Sequence, residues 1–284
     1  MNNLQNKNIL IIGLGIIGGS YAKGFKAEGI LPYGYDIDER TLEIAKELGI
    51  IHEETDLITN IQKADIIILC LYPKLNINWL IEYQKYIKPG AVVTDVTGVK
   101  TFIIKEVKKI IRSDIEFVPS HPMAGKEASG IEGSNPEVFE GANFIIVPME
   151  DNSYEAIELI KDIAKCLKFK NIEILSPKSH DELISFLSQL THVIAVSLMN
   201  SHNVENMIRY TGDSFRDLTR IAKINENLWT ELFIHNKKQL VEDINSFMVE
   251  LEAFKKLLEE ENVDSLKNKM INATNKRKLF DKDR

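Results

Sequence analysis

The segment NILIIGLGIIGGS, residues 8–20, limits what this chain can fold into more than any other stretch. An aliphatic run that reads as a buried strand passes directly into Gly13, Gly15 and Gly18, and the residues after them have helical spacing. Strand, glycine turn and helix in that order open a dinucleotide-binding fold. Gly13 would make the tight turn, Gly15 would let the backbone approach a pyrophosphate, and Gly18 would allow close helix packing. Ile16 and Ile17 complete the loop and begin the helix whose amino terminus attracts negative charge. Glycine turns also serve plain packing, so the motif needs a second signal.

That signal is GYDID, which places Asp36 at the end of the next strand, at the distance expected of a ribose-binding acid. A carboxylate there accepts hydrogen bonds from ribose hydroxyls and repels a 2′-phosphate, which points to NAD as the cofactor. Arg40, four residues on, leaves NADP open, and the plainer reading of Asp36 alone is a solvated turn acid.

The chain has 284 residues, more than one typical core needs, so two domains are expected. From residue 8 to about 176, the strand-like runs NILII, LPYGYDI, DIIILCL, AVVTDV, IEFVPS, NFIIVP and NIEIL alternate with helical patterns. The expected fold class is α/β: a Rossmann-type dinucleotide-binding domain over 1–176, with a mostly parallel sheet, followed by an all-helical domain over 177–284. In that second domain Phe247, Leu251, Phe254 and Leu258 form an apolar stripe. It needs a partner surface, either in the same chain or in a second copy; a homodimer through the helical domain is the expectation carried forward.

A net charge of -7 gives no reason to expect nucleic acid as a partner. The polar start MNNLQNKN is unlike a secretory signal, and no apolar run approaches the roughly 20 residues of a membrane span, so a soluble cytoplasmic protein is expected. Cys70 and Cys166 are far apart and lack ligand-like spacing, which suggests neither a disulfide nor a metal site. The glycine loop begins almost at the first residue, so no fused mutase or regulatory domain is expected.

Ser120 and His121, in FVPSHPMAGKEASG, follow a strand at its carboxyl end, the edge where open α/β sheets bind ligands. The small residues of MAG and ASG suit a pocket wall. A lone histidine is more often structural, however. In TGDSFRDLTRIA, Arg220 is a candidate clamp for a substrate carboxylate, with Asp217 to orient it; the alternative is a surface ion pair. His192, inside the apolar SQLTHVIA, reads on periodicity as a satisfied interior histidine.

Taken together, GLGIIGGS, YDID, TDVTGVK, SHPMAGKEASG, HDELISFLSQLTHVIA and FRDLTRIAKINENLWTELFIHN resemble, in order and spacing, the prephenate and arogenate dehydrogenases of tyrosine biosynthesis. The resemblance covers nearly the whole chain. It implies that His121 accepts a hydrogen bond from the substrate's ring hydroxyl, that Arg220 binds the side-chain carboxylate and that His192 lines the pocket. Asp217 and Trp229 would support that site, and prephenate, oxidised and decarboxylated with NAD, would be the substrate, with arogenate the alternative. Many family members carry a serine where this chain has Gly98, so either a contact to His121 is absent here or Thr97 or Ser120 supplies the missing hydroxyl; the role of Lys100 stays open. A β-hydroxyacid dehydrogenase would join similar domains, but its catalytic lysine motif has no counterpart here. A non-catalytic nucleotide sensor would have no need of His121 and Arg220 together.

Overall fold

The computed structural model describes residues 4–54, 56–125, 130–203 and 205–281. Among the described residues eight strands are formed: β1 (Ile9–Ile12), β2 (Tyr33–Tyr35), β3 (Ile66–Leu69), β4 (Val92–Asp95), β5 (Glu116–Phe117), β6 (Ser120–Pro122), β7 (Asn143–Ile146) and β8 (Asn171–Ile174). Around them run α1 (Ile16–Ala27), α2 (Glu39–Glu47), α3 (Leu57–Lys63), α4 (Pro73–Tyr83), α5 (Thr101–Val107) and α6 (Tyr154–Cys166). The chain continues through α7 (Pro177–Ile184), α8 (Leu190–Asn200), α9 (Asp213–Thr219), α10 (Glu226–His235), α11 (Lys237–Glu259) and α12 (Val263–Arg277). Several helices start where a short polar side chain caps the first turn: Asp38, Asp56, Ser153, Ser176 and Asn225 each accept from a backbone N–H three residues on.

Strands β1 to β5 form a parallel sheet in the order β2-β1-β3-β4-β5. Side chains alternate across it, and both faces are covered. Ile9 and Ile11 enter one core with Tyr21, Phe25 and Phe144, while Leu10 and Ile12 enter another with Trp79, Leu80 and Ile103. Burial on both faces is why these strands read as unbroken aliphatic runs. Strand order reverses between β1 and β3, so their carboxyl ends, at Gly13 and Cys70, border the crevice where such sheets receive ligands.

Two features differ from the sequence reading. IEFVPS is not one strand: it breaks at Val118–Pro119 into β5 and β6, because Pro119 has no N–H to continue the ladder. β6 then pairs antiparallel with β7, and β7 pairs parallel with β8, giving a separate three-stranded sheet. The run NLWTELFIHNKKQLVEDINSFMVELEAFKKLLEE, residues 227–260, has helical period throughout, but Asn236 separates α10 from α11. Its side-chain amide is buried and donates to the Asp181 carbonyl and to Gln189 Oε1, both at 2.9 Å.

The chain forms two compact units, residues 1–236 and 237–284. In the second, α11 and α12 are tied by an ion pair between Lys269 and Glu250, and Phe247, Leu251, Phe254 and Leu258 are all exposed. In the first, the helical stretch Pro177–Asn200 contains an 18-residue window of mean hydropathy 1.4, enough by length and composition to cross a membrane, against the expectation above. The same stretch buries His180, Asp181, Ser185 and Gln189, a pattern that suits packing inside a protein.

The turn leaving β4 is set by a fully buried ion pair. Lys100 Nζ lies 2.7 Å from Asp95 Oδ2, and both side chains are shielded from solvent. Thr97 donates its hydroxyl to the same carboxylate oxygen and receives a longer bond of 3.3 Å from Lys100. Burial pulls the Lys100 pKa down, against the attraction of Asp95. Removing one partner of such a pair strands the other, at about 3–5 kcal/mol. Lys100→Met should therefore lower the melting temperature by roughly 10 °C in a thermal denaturation experiment.

The glycine loop makes a second, sharper prediction. A Cβ on Gly18 would lie 1.8 Å from the Gly13 carbonyl oxygen, whereas one on Gly15 would meet nothing within 4 Å. Gly18→Ala should cost at least about 3 kcal/mol, seen in the same melts, while Gly15→Ala should melt with the parent protein.

Candidate active site

The glycine loop and Asp36 form one unit. Gly13 has φ 89, and a side chain there would strike the Cys70 carbonyl at 2.8 Å. Asp36, at the end of β2, accepts the Leu14 N–H at 2.7 Å and the Asp38 N–H at 3.0 Å. Gly15 stands at the N-cap of α1 with no side-chain cap and no acid in the first turn, so the first N–H groups face the open space beside it. An uncapped helix start, a bare glycine and an anchored acid fit the pyrophosphate and ribose of a dinucleotide. Gly13, Gly15, Ile16, Ile17, Gly18 and Asp36 thus lie together at the switch point of the sheet.

β6 carries Ser120 and His121 away from the carboxyl end of β5. Ser120 is buried: its hydroxyl donates to the Asp95 carbonyl at 2.9 Å and lies 2.9 Å from Thr94 Oγ1. Thr97 is engaged by Asp95, as described above. Neither hydroxyl is directed to His121, which corrects the expectation that one of them replaces the group missing at Gly98; both are held by polar groups of the β4 turn that burial would otherwise leave unsatisfied. Gly98 does face His121, since a Cβ there would lie 3.6 Å from His121 Cε1 and 3.5 Å from Leu232.

What His121 meets instead is a second histidine. Its Nδ1 lies 2.9 Å from Nε2 of His180, and His180 Nδ1 lies 2.8 Å from Asp181 Oδ1. Asp181 also accepts the backbone N–H groups of Lys100 at 2.8 Å and Thr101 at 2.9 Å. Burial, then the neighbouring His180 and the Lys100 ammonium, holds the His121 pKa well below the ordinary imidazole value. His180 is lowered too, chiefly by burial, against the opposing pull of Asp181. Burial would raise Asp181, but the bonds it receives outweigh that and keep its carboxyl low. The result is an ionised carboxylate behind two neutral imidazoles.

His180 and Asp181 were passed over in the sequence, although HDEL lies within a motif already singled out. The available signal was an adjacent His-Asp pair on a helix otherwise read by its apolar period.

α10 closes the other side. Leu232 reaches Gly98, and Trp229 lies one turn away, about 4.5 Å along the helix axis. The Trp229 ring packs on His192 with centroids 3.6 Å apart, and His192 Nδ1 lies 2.9 Å from the Ser188 carbonyl. The first turn of α4 is linked to α10 and its cap by Asn225 donating to Tyr72 Oη at 2.8 Å and Glu231 accepting the Lys74 N–H at 3.1 Å. Arg220 ends α9, and the turn it begins packs against α8, which carries His192. Arg220 and Asp217 are both exposed, and among the described residues no ion pair joins them. Ala128 and Ser129 of the expected small-residue loop lie outside the described residues. Among the described residues no group of three or more His, Cys, Asp or Glu side chains is placed to hold a metal ion.

This arrangement has close relatives. Residues 21–173 match the family description "Prephenate dehydrogenase, nucleotide-binding domain", and residues 176–272 match "Prephenate dehydrogenase, dimerization domain". A prephenate dehydrogenase of Bacillus subtilis is 30% identical over 275 residues, spanning 94% of this chain and 74% of the relative. The crystal structure of prephenate dehydrogenase from A. aeolicus, in complex with hydroxyphenyl propionate and NAD+, superposes with a TM-score of 0.88 at 29% identity, covering 98% of this chain and 99% of the other. Synechocystis arogenate dehydrogenase follows at a TM-score of 0.80 and 25% identity, with 96% and 99% covered. A Rossmann-like α/β domain followed by helices, with these matches along nearly its whole length, makes the chain a member of the prephenate dehydrogenase family.

Proposed function

We propose that this chain is an NAD-dependent prephenate dehydrogenase, converting prephenate to 4-hydroxyphenylpyruvate in the cytoplasm as a step towards tyrosine. The observation that carries the reading is a neutral, half-buried His121 at the carboxyl edge of the sheet, backed by an ionised carboxylate through His180. The names of the Bacillus subtilis and A. aeolicus relatives support prephenate over arogenate. The division of labour would fall at residues 176/177, with cofactor before it and substrate-binding helices after it. The exposed apolar stripe of α11, together with the family description of a dimerization domain, supports a homodimer.

Gly13, Gly15 and Gly18 would cradle the pyrophosphate and Asp36 the ribose. NAD bound there would supply the hydride acceptor for the ring carbon that bears the hydroxyl. His121 acts on that hydroxyl: its free ring nitrogen accepts the O–H hydrogen bond and draws on the proton as positive character grows at the carbon. The electrons of the bond to the ring carboxylate pass into the ring as carbon dioxide leaves, and the phenol oxygen keeps its proton. Arg220 holds the side-chain carboxylate through two charge-assisted bonds, and His192 stacked on Trp229 forms a wall of the pocket. Ser120 and Thr97 act at one remove by shaping the β4 turn.

The test is reduced-nicotinamide formation from purified protein and NAD, with prephenate and arogenate offered separately. Turnover of arogenate alone would reassign the substrate. His121→Asn should lower kcat by about 10²–10⁴-fold while NAD affinity, measured by titration, stays unchanged. Because the His121 pKa is lowered, the base is already free at pH 6.5. The kcat/KM profile should therefore stay flat through that pH and fall only under more acid conditions, as His121 takes up a proton. Arg220→Gln should instead raise KM for prephenate roughly 10- to 100-fold with kcat little changed, the signature of a lost clamp.

A further inference from the structure

The chain of hydrogen bonds behind His121 has only one consistent set of hydrogens. Asp181 is ionised and can only accept; its Oδ1 receives the Lys100 N–H and its Oδ2 the Thr101 N–H. His180 Nδ1, 2.8 Å from Oδ1, must therefore be the donor of that bond. A neutral imidazole carries one hydrogen, so His180 Nε2 is bare. At 2.9 Å from it, His121 Nδ1 must then carry the hydrogen of the bond between the two rings, which leaves His121 Nε2 with a free lone pair.

We infer that His180 is a positioning residue that, anchored by Asp181, locks His121 in the tautomer whose Nε2 is free to accept the substrate hydroxyl. The inference deepens the proposed function and rests on it for the identity of the substrate. Asp181 stands to His180 as a buried carboxylate stands to the base of a hydrolytic triad, where it sets the tautomer without taking the proton. Here a second imidazole is interposed, so the carboxylate acts on the base across one more ring.

Burial explains why a lock is needed. His180 is fully enclosed, so no water is at hand to satisfy an alternative arrangement of its ring nitrogens. The charged groups bearing on the pair are Asp181 on α7 and Asp95 and Lys100 on the β4 turn; on β6 stands His121 itself. Lys100 opposes protonation of both rings, while Asp181 is held by two backbone N–H groups at the start of α5. With one proton per ring, the hydrogen pattern has a single direction, from His121 towards Asp181. As positive character builds on His121 during reaction, its Nδ1 hydrogen bond to His180 strengthens, and His180 shares the charge with Asp181.

Ring-nitrogen NMR on protein labelled with ¹⁵N-histidine tests this without turnover. In the wild type, His121 should show a protonated Nδ1 and a bare Nε2. Asp181→Asn turns an acceptor into a donor and should invert the pattern, placing the hydrogen on His121 Nε2. His180→Leu should leave His121 with mixed tautomers. In both variants kcat should fall by about 10²–10⁴-fold, with KM for prephenate and NAD affinity near wild type. Circular dichroism and NAD titration confirm that each variant is folded, and either one suffices. A His121 protonated at Nε2 in the wild type, or folded variants with unchanged kcat, would overturn the inference. If the wild type turns over neither substrate, the proposed function fails, while the NMR pattern still decides the tautomer.

Discussion

Three N–H donors converge on the carboxylate of Asp181, and most of the site is positioned by that convergence. Two are backbone groups at the start of α5 and the third is His180 beside it in the chain. The bonds fasten α7 to the turn that leaves β4, and the Asp181 carbonyl also receives Asn236 from the end of α10. One residue thus ties the sheet edge, the first helix after the sheets and the end of α10. A buried carboxylate with fewer donors would gain a proton or draw in water; this one stays charged because its lone pairs are engaged.

The same corner of the protein holds a buried ammonium. Lys100 is matched by Asp95 and Thr97, and its positive charge discourages protonation of both His121 and His180. In the proposed reaction the substrate hydroxyl needs a neutral acceptor, and an imidazolium could not serve. The role of Lys100, left open by the sequence, is therefore electrostatic as well as structural: it shapes the β4 turn and biases the rings beside it.

The glycine loop, the strand runs other than IEFVPS and the change to helices after the second sheet were legible because each is a local pattern. Period and punctuation lie within a dozen residues, and burial on both faces writes itself into a strand as an unbroken apolar run. What escaped was long-range. His121 and His180 are 59 residues apart, and nothing local marks them as partners. The hydroxyls of Ser120 and Thr97 looked available as letters, yet backbone and carboxylate oxygens of the β4 turn had prior claim on them. The break at Asn236 hid in a run of good helical spacing, because its cause is a side chain reaching back to residues 181 and 189. The split at Pro119 was visible in principle, since proline cannot donate to a ladder.

Between α7 and α8 the helix does not stop; residues 185–189 form one π-helical turn. Such a turn holds a residue more than an α-helix would over the same rise, and it rotates everything beyond it by roughly 100° relative to what precedes it. His180 lies before the turn and His192 after it, so one continuous rod presents a histidine to the sheet domain and another to Trp229. The angle between the His180 face and the His192 face of the rod is thereby recorded as a residue count. A single deletion within 185–189 would therefore turn His192 off the face it shares with Trp229, even though His180 and the sheet it faces were left untouched.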